Sequence, residues 1–285
     1  MVQMKKVGVV GSGTMGTGIV QLAIQNGYKT VMFDISNQAA QRAKEQLEKI
    51  LARLVEKGKL TKADQAEALA CLQATTEMDL LKDCDLIIEA ASEKLEVKQA
   101  IFKQLEAICH DKTILATNTS SLSITEIAGA LKQPEKVAGL HFFNPAPLMP
   151  LVEVVSGINT NEQTVEQLFA WANSLKKTAV LCKDTPGFIV NRVARPFYNE
   201  ALRIMNDGVA SVEQIDRIMK KAGHFKMGPF ELQDLIGIDI NLATTKTVHQ
   251  NYYGESRFRP HYYQERLVQA GRLGRKTKGG FYTYE

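Results

Sequence analysis

The chain has 285 residues, of which 45% are apolar and 23% charged, an ordinary composition for a globular protein with a sizeable core. Its 35 basic and 31 acidic residues are interspersed and leave a net charge of +4, too mild a bias for a nucleic-acid partner. No stretch is apolar enough to span a bilayer. The four cysteines, Cys71, Cys84, Cys109 and Cys182, form neither a C-x-x-C pair, a metal-ligand spacing nor a disulfide framework, which points to a cytoplasmic protein with reduced thiols.

The first strand is expected at Val7–Val10, so early that no signal peptide is anticipated. It runs into Gly11–Ser12–Gly13–Thr14–Met15–Gly16, and a helix with an apolar face follows to about Gly27. A second strand, Thr30–Phe33, ends at Asp34. Strand, glycine turn, helix, strand and acid form the layout that holds a dinucleotide. Gly11 allows the tight turn, Gly13 lets backbone approach a pyrophosphate, and Gly16 lets helix pack close to sheet. The helix N-terminus favours the anion, and Asp34 accepts from a ribose 2′-hydroxyl. A carboxylate there repels a 2′-phosphate, so NAD is favoured over NADP.

Two helices, Ser36 to about Lys57 and Thr61–Cys71, read as a hairpin inserted at about 36–70. The hairpin either packs only, or carries a basic arm (Arg53, Lys57, Lys59) toward a phosphorylated substrate. Strands are expected at 85–90, 113–117, 137–141, 151–155 and 178–181, with helices over 95–109, 123–127 and 164–175. This alternation predicts a doubly wound, mostly parallel Rossmann sheet over 1–184. Asp184–Thr185–Pro186–Gly187 reads as a linker. Beyond it no strand is predicted, and helices over 189–205, 212–221, 229–248 and 260–271 make a smaller all-α domain, 185–285. Ser211 with Gln214 forms a capping box, Pro229 suits a first helical position, and Pro196 is expected to kink its helix.

Ligands bind at the carboxyl ends of strands in such sheets. Asn118–Ser121, His141–Asn144 and Glu153 are the polar groups placed there. If the 151–155 strand turns back beside 137–141, Glu153 reaches His141. An imidazole braced by a carboxylate is the base that alcohol dehydrogenation needs without a metal. His110, His224, His249 and His261 read as surface or packing residues. No metal motif is found.

V-G-V-V-G-S-G-T-M-G (7–16), N-T-S-S-L-S-I (118–124), G-L-H-F-F-N-P-A-P-L-M-P-L-V-E-V-V (139–155), K-D-T-P-G-F-I-V-N-R (183–192) and M-G-P-F-E-L (227–232) together resemble the L-3-hydroxyacyl-CoA dehydrogenases, the short bacterial 3-hydroxybutyryl-CoA enzymes above all. The resemblance implies NAD-dependent interconversion of an L-3-hydroxyacyl-CoA and a 3-ketoacyl-CoA. It implies His141 as general base, Glu153 as its orienting partner, and Ser120 and Asn191 on the substrate's oxygens. Cofactor contacts carried over are Asp34, Glu93, Lys98, Ser120, Asn144 and Lys276, beside the glycine loop. Arg53 and Lys57 would bind the CoA moiety, and the helical domain would complete the site and form a homodimer. The family's tail often reads K-T-G-x-G-F-Y. Here Lys278 displaces a glycine, which puts the turn beside Lys276 in question. Two other readings are a dehydrogenase of a free hydroxy acid or sugar acid on the same scaffold, and a non-catalytic NAD-binding protein.

Overall fold

The computed structural model describes residues 4–285 and divides into two units, one ending at Thr185 and one spanning Pro186–Glu285. Apolar runs in the first unit form β1 (Lys6–Val10), β2 (Lys29–Phe33), β3 (Leu72–Thr75), β4 (Leu86–Glu89), β5 (Ile114–Thr117), β6 (Val137–Phe142), β7 (Leu151–Ser156) and β8 (Thr178–Lys183). Their spatial order is β3-β2-β1-β4-β5-β6-β7-β8. Neighbours are parallel except β6 and β7, which are antiparallel. The first six strands carry the doubly wound order. β4, β5 and β6 are buried throughout, as strands covered on both faces must be.

The helices of this unit are α1 (Thr14–Gln25), α2 (Asn37–Glu56), α3 (Lys62–Ala70), α4 (Leu95–Ile108), α5 (Ile124–Ala128) and α6 (Glu162–Ser174). α2 starts where the Ser36 hydroxyl accepts from the Ala39 N–H, and α3 starts at a Thr61–Asp64 capping box. Ala40, Ala43, Leu47 and Leu51 turn one face of α2 into the same core that holds Ile19 and Leu22 of α1 and Ile88 of β4. The α2–α3 hairpin therefore sits where the sequence places it. β3 was not anticipated. It is a half-buried edge strand without an apolar run, and its pairing with β2 specifies it.

The second unit contains α7 (Val190–Asn206), α8 (Val212–Lys221), α9 (Pro229–Ile236), α10 (Ile238–Asn251) and α11 (Tyr262–Gln269). The single helix expected over 229–248 is two helices. Gly237 between them has φ +103°, outside the helical region, and restarts the chain in a new direction. α7 runs through Pro196 without interruption. Ser211 and Gln214 form the capping box, and Pro229 opens α9.

Two buried aspartates close this unit. Asp216 accepts from the N–H groups of Phe230 and Glu231 at the start of α9 and from the Tyr282 hydroxyl. Asp234 accepts from the N–H groups of Phe281 and Tyr282 and from the Tyr284 hydroxyl. Gly274 and Gly280 press on Asp234 so closely that a Cβ at either would collide with it. At the Lys278 departure the backbone is left-handed, φ +56°, and its carbonyl accepts from the Tyr284 N–H. A lysine there carries a penalty that glycine does not. Lys278→Gly is expected to stabilise the protein by about 1 kcal/mol, read as a higher midpoint in thermal and urea unfolding.

Candidate active site

β1 ends at Gly11, whose φ is +100° and whose N–H donates to the Phe33 carbonyl at 2.8 Å. A Cβ at Gly16 would strike the Gly11 carbonyl, so that glycine lets α1 rest on the turn. Gly13 is different. Its φ is −69°, and a Cβ there would meet nothing within 4 Å. Neither conformation nor packing demands glycine at this position; what the residue leaves is an open backbone face that a ligand can approach. Thr14 and Met15 begin α1, no side chain caps its N-terminus, and its first turn holds no acid, so the donors and positive dipole end are not spent on a protein carboxylate.

Asp34 follows β2. One carboxylate oxygen accepts from the Ser12 N–H (2.9 Å) and the Ser12 hydroxyl (2.7 Å), the other from the Ser36 N–H (3.0 Å). Partial burial pushes its pKa upward, but the hydrogen bonds from Ser12 and Ser36 outweigh that and hold it below the ordinary carboxylate value. Asp34 is therefore ionised at neutral pH. A cavity of about 720 Å³ opens here, with Gly11, Ser12, Gly13, Asp34, Ile35 and Ala91 in its wall. Its size, its open glycine and its ionised acid fit the adenosine and pyrophosphate of NAD. His141 and Ser120 lie outside its lining.

At the ends of β4 and β5 a buried charge network appears. Glu89, fully buried, accepts both contacts of the Lys98 ammonium (2.9 and 2.8 Å), the Thr117 hydroxyl (2.7 Å) and the Ala91 N–H (2.7 Å). Lys98 also lies 3.3 Å from Glu93. Glu93 accepts from the Thr119 hydroxyl (2.6 Å) and the Ser120 N–H (2.9 Å), and the Ser120 hydroxyl lies 3.3 Å away. Partial burial acts upward on Glu93, but the Lys98 charge and the donors from Thr119 and Ser120 hold its pKa below the ordinary value. Lys98 is itself 1% exposed, with its ammonium committed to the two carboxylates. Sequence reasoning passed over Glu89 and Thr117. The signal was available: a lone acid in an apolar strand, with a lysine nine residues on, in α4.

The antiparallel register sets His141 directly opposite Glu153. Nδ1 lies 2.7 Å from the Glu153 carboxylate, with both side chains buried. The Phe143 ring lies against the imidazole, centroids 4.4 Å apart. The tautomer that donates Nδ1–H to Glu153 is the one that leaves Nε2 as the ring's acceptor nitrogen. Asn118 ties the neighbouring strand end into place by accepting from the Phe142 N–H at 2.8 Å. Asn144 lies exposed in the loop after β6.

Arg53 lies in the last turn of α2 and Lys57 caps it, both exposed. Lys49, one turn earlier and also exposed, extends them into a stripe spaced four apart, which sequence reasoning did not include. In the second unit, Asn191 lies in the first turn of α7, and its carbonyl accepts from Arg195 Nε at 3.2 Å. Lys276 pairs with Asp239 at the start of α10, 2.6 Å apart.

A mostly parallel sheet with an open glycine turn, an ionised acid after β2 and an imidazole–carboxylate pair across its one antiparallel strand pair defines a nicotinamide-dinucleotide oxidoreductase. Residues 6–185 match the family model described as the NAD-binding domain of 3-hydroxyacyl-CoA dehydrogenase, and residues 187–284 match its C-terminal domain. The chain belongs to this family, and its cofactor is NAD. It is 49% identical to 3-hydroxyadipyl-CoA dehydrogenase of Escherichia coli, covering all of this chain but 60% of that protein's length. It is 47% identical to 3-hydroxybutyryl-CoA dehydrogenase of Clostridioides difficile, covering 98% of this chain and 99% of that one. The crystal structure of (S)-3-hydroxybutyryl-CoA dehydrogenase from Ralstonia eutropha superposes with a TM-score of 0.95 at 41% identity, covering 99% of this chain and all of that one.

Glu89→Leu leaves the buried Lys98 ammonium with only its 3.3 Å contact to Glu93 and should cost about 3 kcal/mol in urea unfolding. Adding Lys98→Met should return part of that loss.

Proposed function

We propose that the chain interconverts short L-3-hydroxyacyl-CoA thioesters, 3-hydroxybutyryl-CoA foremost, with the corresponding 3-ketoacyl-CoA. The observation that carries this reading is the buried His141–Glu153 contact of 2.7 Å. In the oxidative direction the substrate's hydroxyl proton passes to Nε2 of His141. Glu153, holding Nδ1–H, fixes the tautomer and stabilises the imidazolium that results. Ser120 and Asn191 hydrogen-bond the substrate's oxygens. NAD, when bound, accepts the hydride that leaves the hydroxyl-bearing carbon. In reverse the imidazolium returns its proton to the forming alkoxide.

The glycine loop, Gly11 to Gly16, takes the pyrophosphate, and Asp34 takes the ribose diol. Glu93, Lys98, Asn144 and Lys276 are assigned to the cofactor's remaining contacts. For Lys98 that role runs through Glu93, because its own ammonium is buried and engaged. Arg53 and Lys57, at the exposed end of α2, face the phosphates of CoA. This basic stripe favours a CoA thioester over a free hydroxy acid or sugar acid, and the intact His141, Glu153, Ser120 and Asn191 argue against a non-catalytic role. The helical unit exposes Val193, Ile218 and Ile240, which supports a homodimer formed through it. Among the described residues no helix is long and apolar enough to cross a membrane, and the four cysteines are free; we place the protein in the cytoplasm.

His141→Ala should bind NADH as the parent does while kcat for acetoacetyl-CoA falls roughly 10²–10⁴-fold. Near-parental turnover would remove His141 as the base. Arg53→Ala with Lys57→Ala should raise KM for acetoacetyl-CoA about tenfold, with kcat and KM for NADH unchanged, and salt should erase much of the difference. An unchanged KM would return the free hydroxy acid to contention.

A further inference from the structure

Lys177 is a buried lysine with no part in the chemistry above. Its side chain begins just past the end of α6, which closes in a Schellman turn. Lys176 takes the left-handed position at φ +59°, its N–H donates to Asn173, and the Lys177 N–H donates to Ala172. That turn sends the Lys177 side chain under the loop joining β6 to β7. There the ammonium donates to three backbone carbonyls: Ala146 (2.8 Å), Pro147 (3.1 Å) and Met149 (2.8 Å). All three ammonium protons are thus spent on one loop, and the residue is 8% exposed. Burial holds its pKa below the ordinary lysine value. An apolar side chain would fill this space without the desolvation cost of a charge, so the charge itself needs a reason.

The loop's surroundings supply one. Its far side rests on α1 at Gly18, where a Cβ would come within 3.2 Å of the Ala146 Cβ and 3.3 Å of the Pro147 ring. The loop begins beside Asn144 and ends at β7, whose register puts Glu153 opposite His141. The Pro150 carbonyl accepts from the Thr178 N–H at 2.7 Å, so both the loop's exit and its middle are fastened to the start of β8. Three carbonyls converging on one point are mutually repulsive unless a cation sits between them.

We propose that Lys177 is a positioning residue for the dinucleotide: its ammonium gathers the 146–149 carbonyls and holds the β6–β7 loop against the phosphate-binding helix α1, which fixes Asn144. This rests on the assignment of Asn144 to the cofactor. The role differs from plain packing because it requires a cation at one point and acts on the cofactor rather than on the acyl-CoA.

The test uses the full chain. Lys177→Met keeps the length and removes the charge. It should weaken NADH binding, read by fluorescence titration without substrate, about tenfold or more, and raise KM for NADH in step, while KM for acetoacetyl-CoA stays within about twofold. In Lys177→Ala, propylammonium should restore several-fold of the lost NADH affinity, and propanol should not. In the parent protein, NADH should slow hydrogen exchange at the Leu148 and Met149 amides; this needs no variant and decides the point should both variants fail to fold. Unchanged NADH affinity with only a lowered melting point would overturn the proposal. So would equal losses toward both substrates, equal rescue by propanol, or indifferent exchange in the loop. A parent protein that binds NADH but leaves acetoacetyl-CoA untouched would defeat the proposed activity alone, and the NADH titrations would still decide the role of Lys177.

Discussion

A carboxylate buried as deeply as Glu153 demands compensation, and His141 meets that demand because one strand of the sheet runs backward. Had β7 joined β6 in parallel, a crossover helix would have separated the two residues in sequence, and the 139–155 segment would be far longer. The tight reversal instead delivers them to the same rung of the ladder, 2.7 Å apart, at the edge where a doubly wound sheet presents its ligands. The buried contact between the imidazole and the carboxylate descends from this single antiparallel pairing.

Around that pairing the first unit uses buried charge in a consistent way. Lys98 sits beneath Glu93 and the Thr119–Ser120 segment, and Lys177 sits beneath the 146–149 loop. Both loops follow strand ends, where backbone has left the ladder and must find other partners. A buried cation satisfies several acceptors from one point, which a hydrophobic side chain cannot do. The arrangement costs desolvation and yields a defined loop geometry. In the second unit, Asp216 and Asp234 play the opposite-sign part, gathering backbone N–H groups from the start of α9 and from the tail.

Local chemistry alone made much of this legible. The glycine turn, Asp34, the alternation of strands and helices, and the capping box at Ser211 are governed by neighbours within a few residues, so spacing reports them faithfully. The misses share a cause. β3 exists because β2 offers it an edge, the break at Gly237 reflects a left-handed backbone that an apolar periodicity does not reveal, and the importance of Glu89 appears only when Lys98 and Thr117 converge on it.

The alternation of strands and helices in the first unit, the glycine turn and the residue types of the candidate site were therefore legible in the sequence itself, because each depends on residue type at short range. Which strand turns back, which charges are buried, and which loops those charges hold were decided only in three dimensions. They depend on partners distant in the chain, and a lysine or glutamate becomes structural only when the rest of the protein removes it from water.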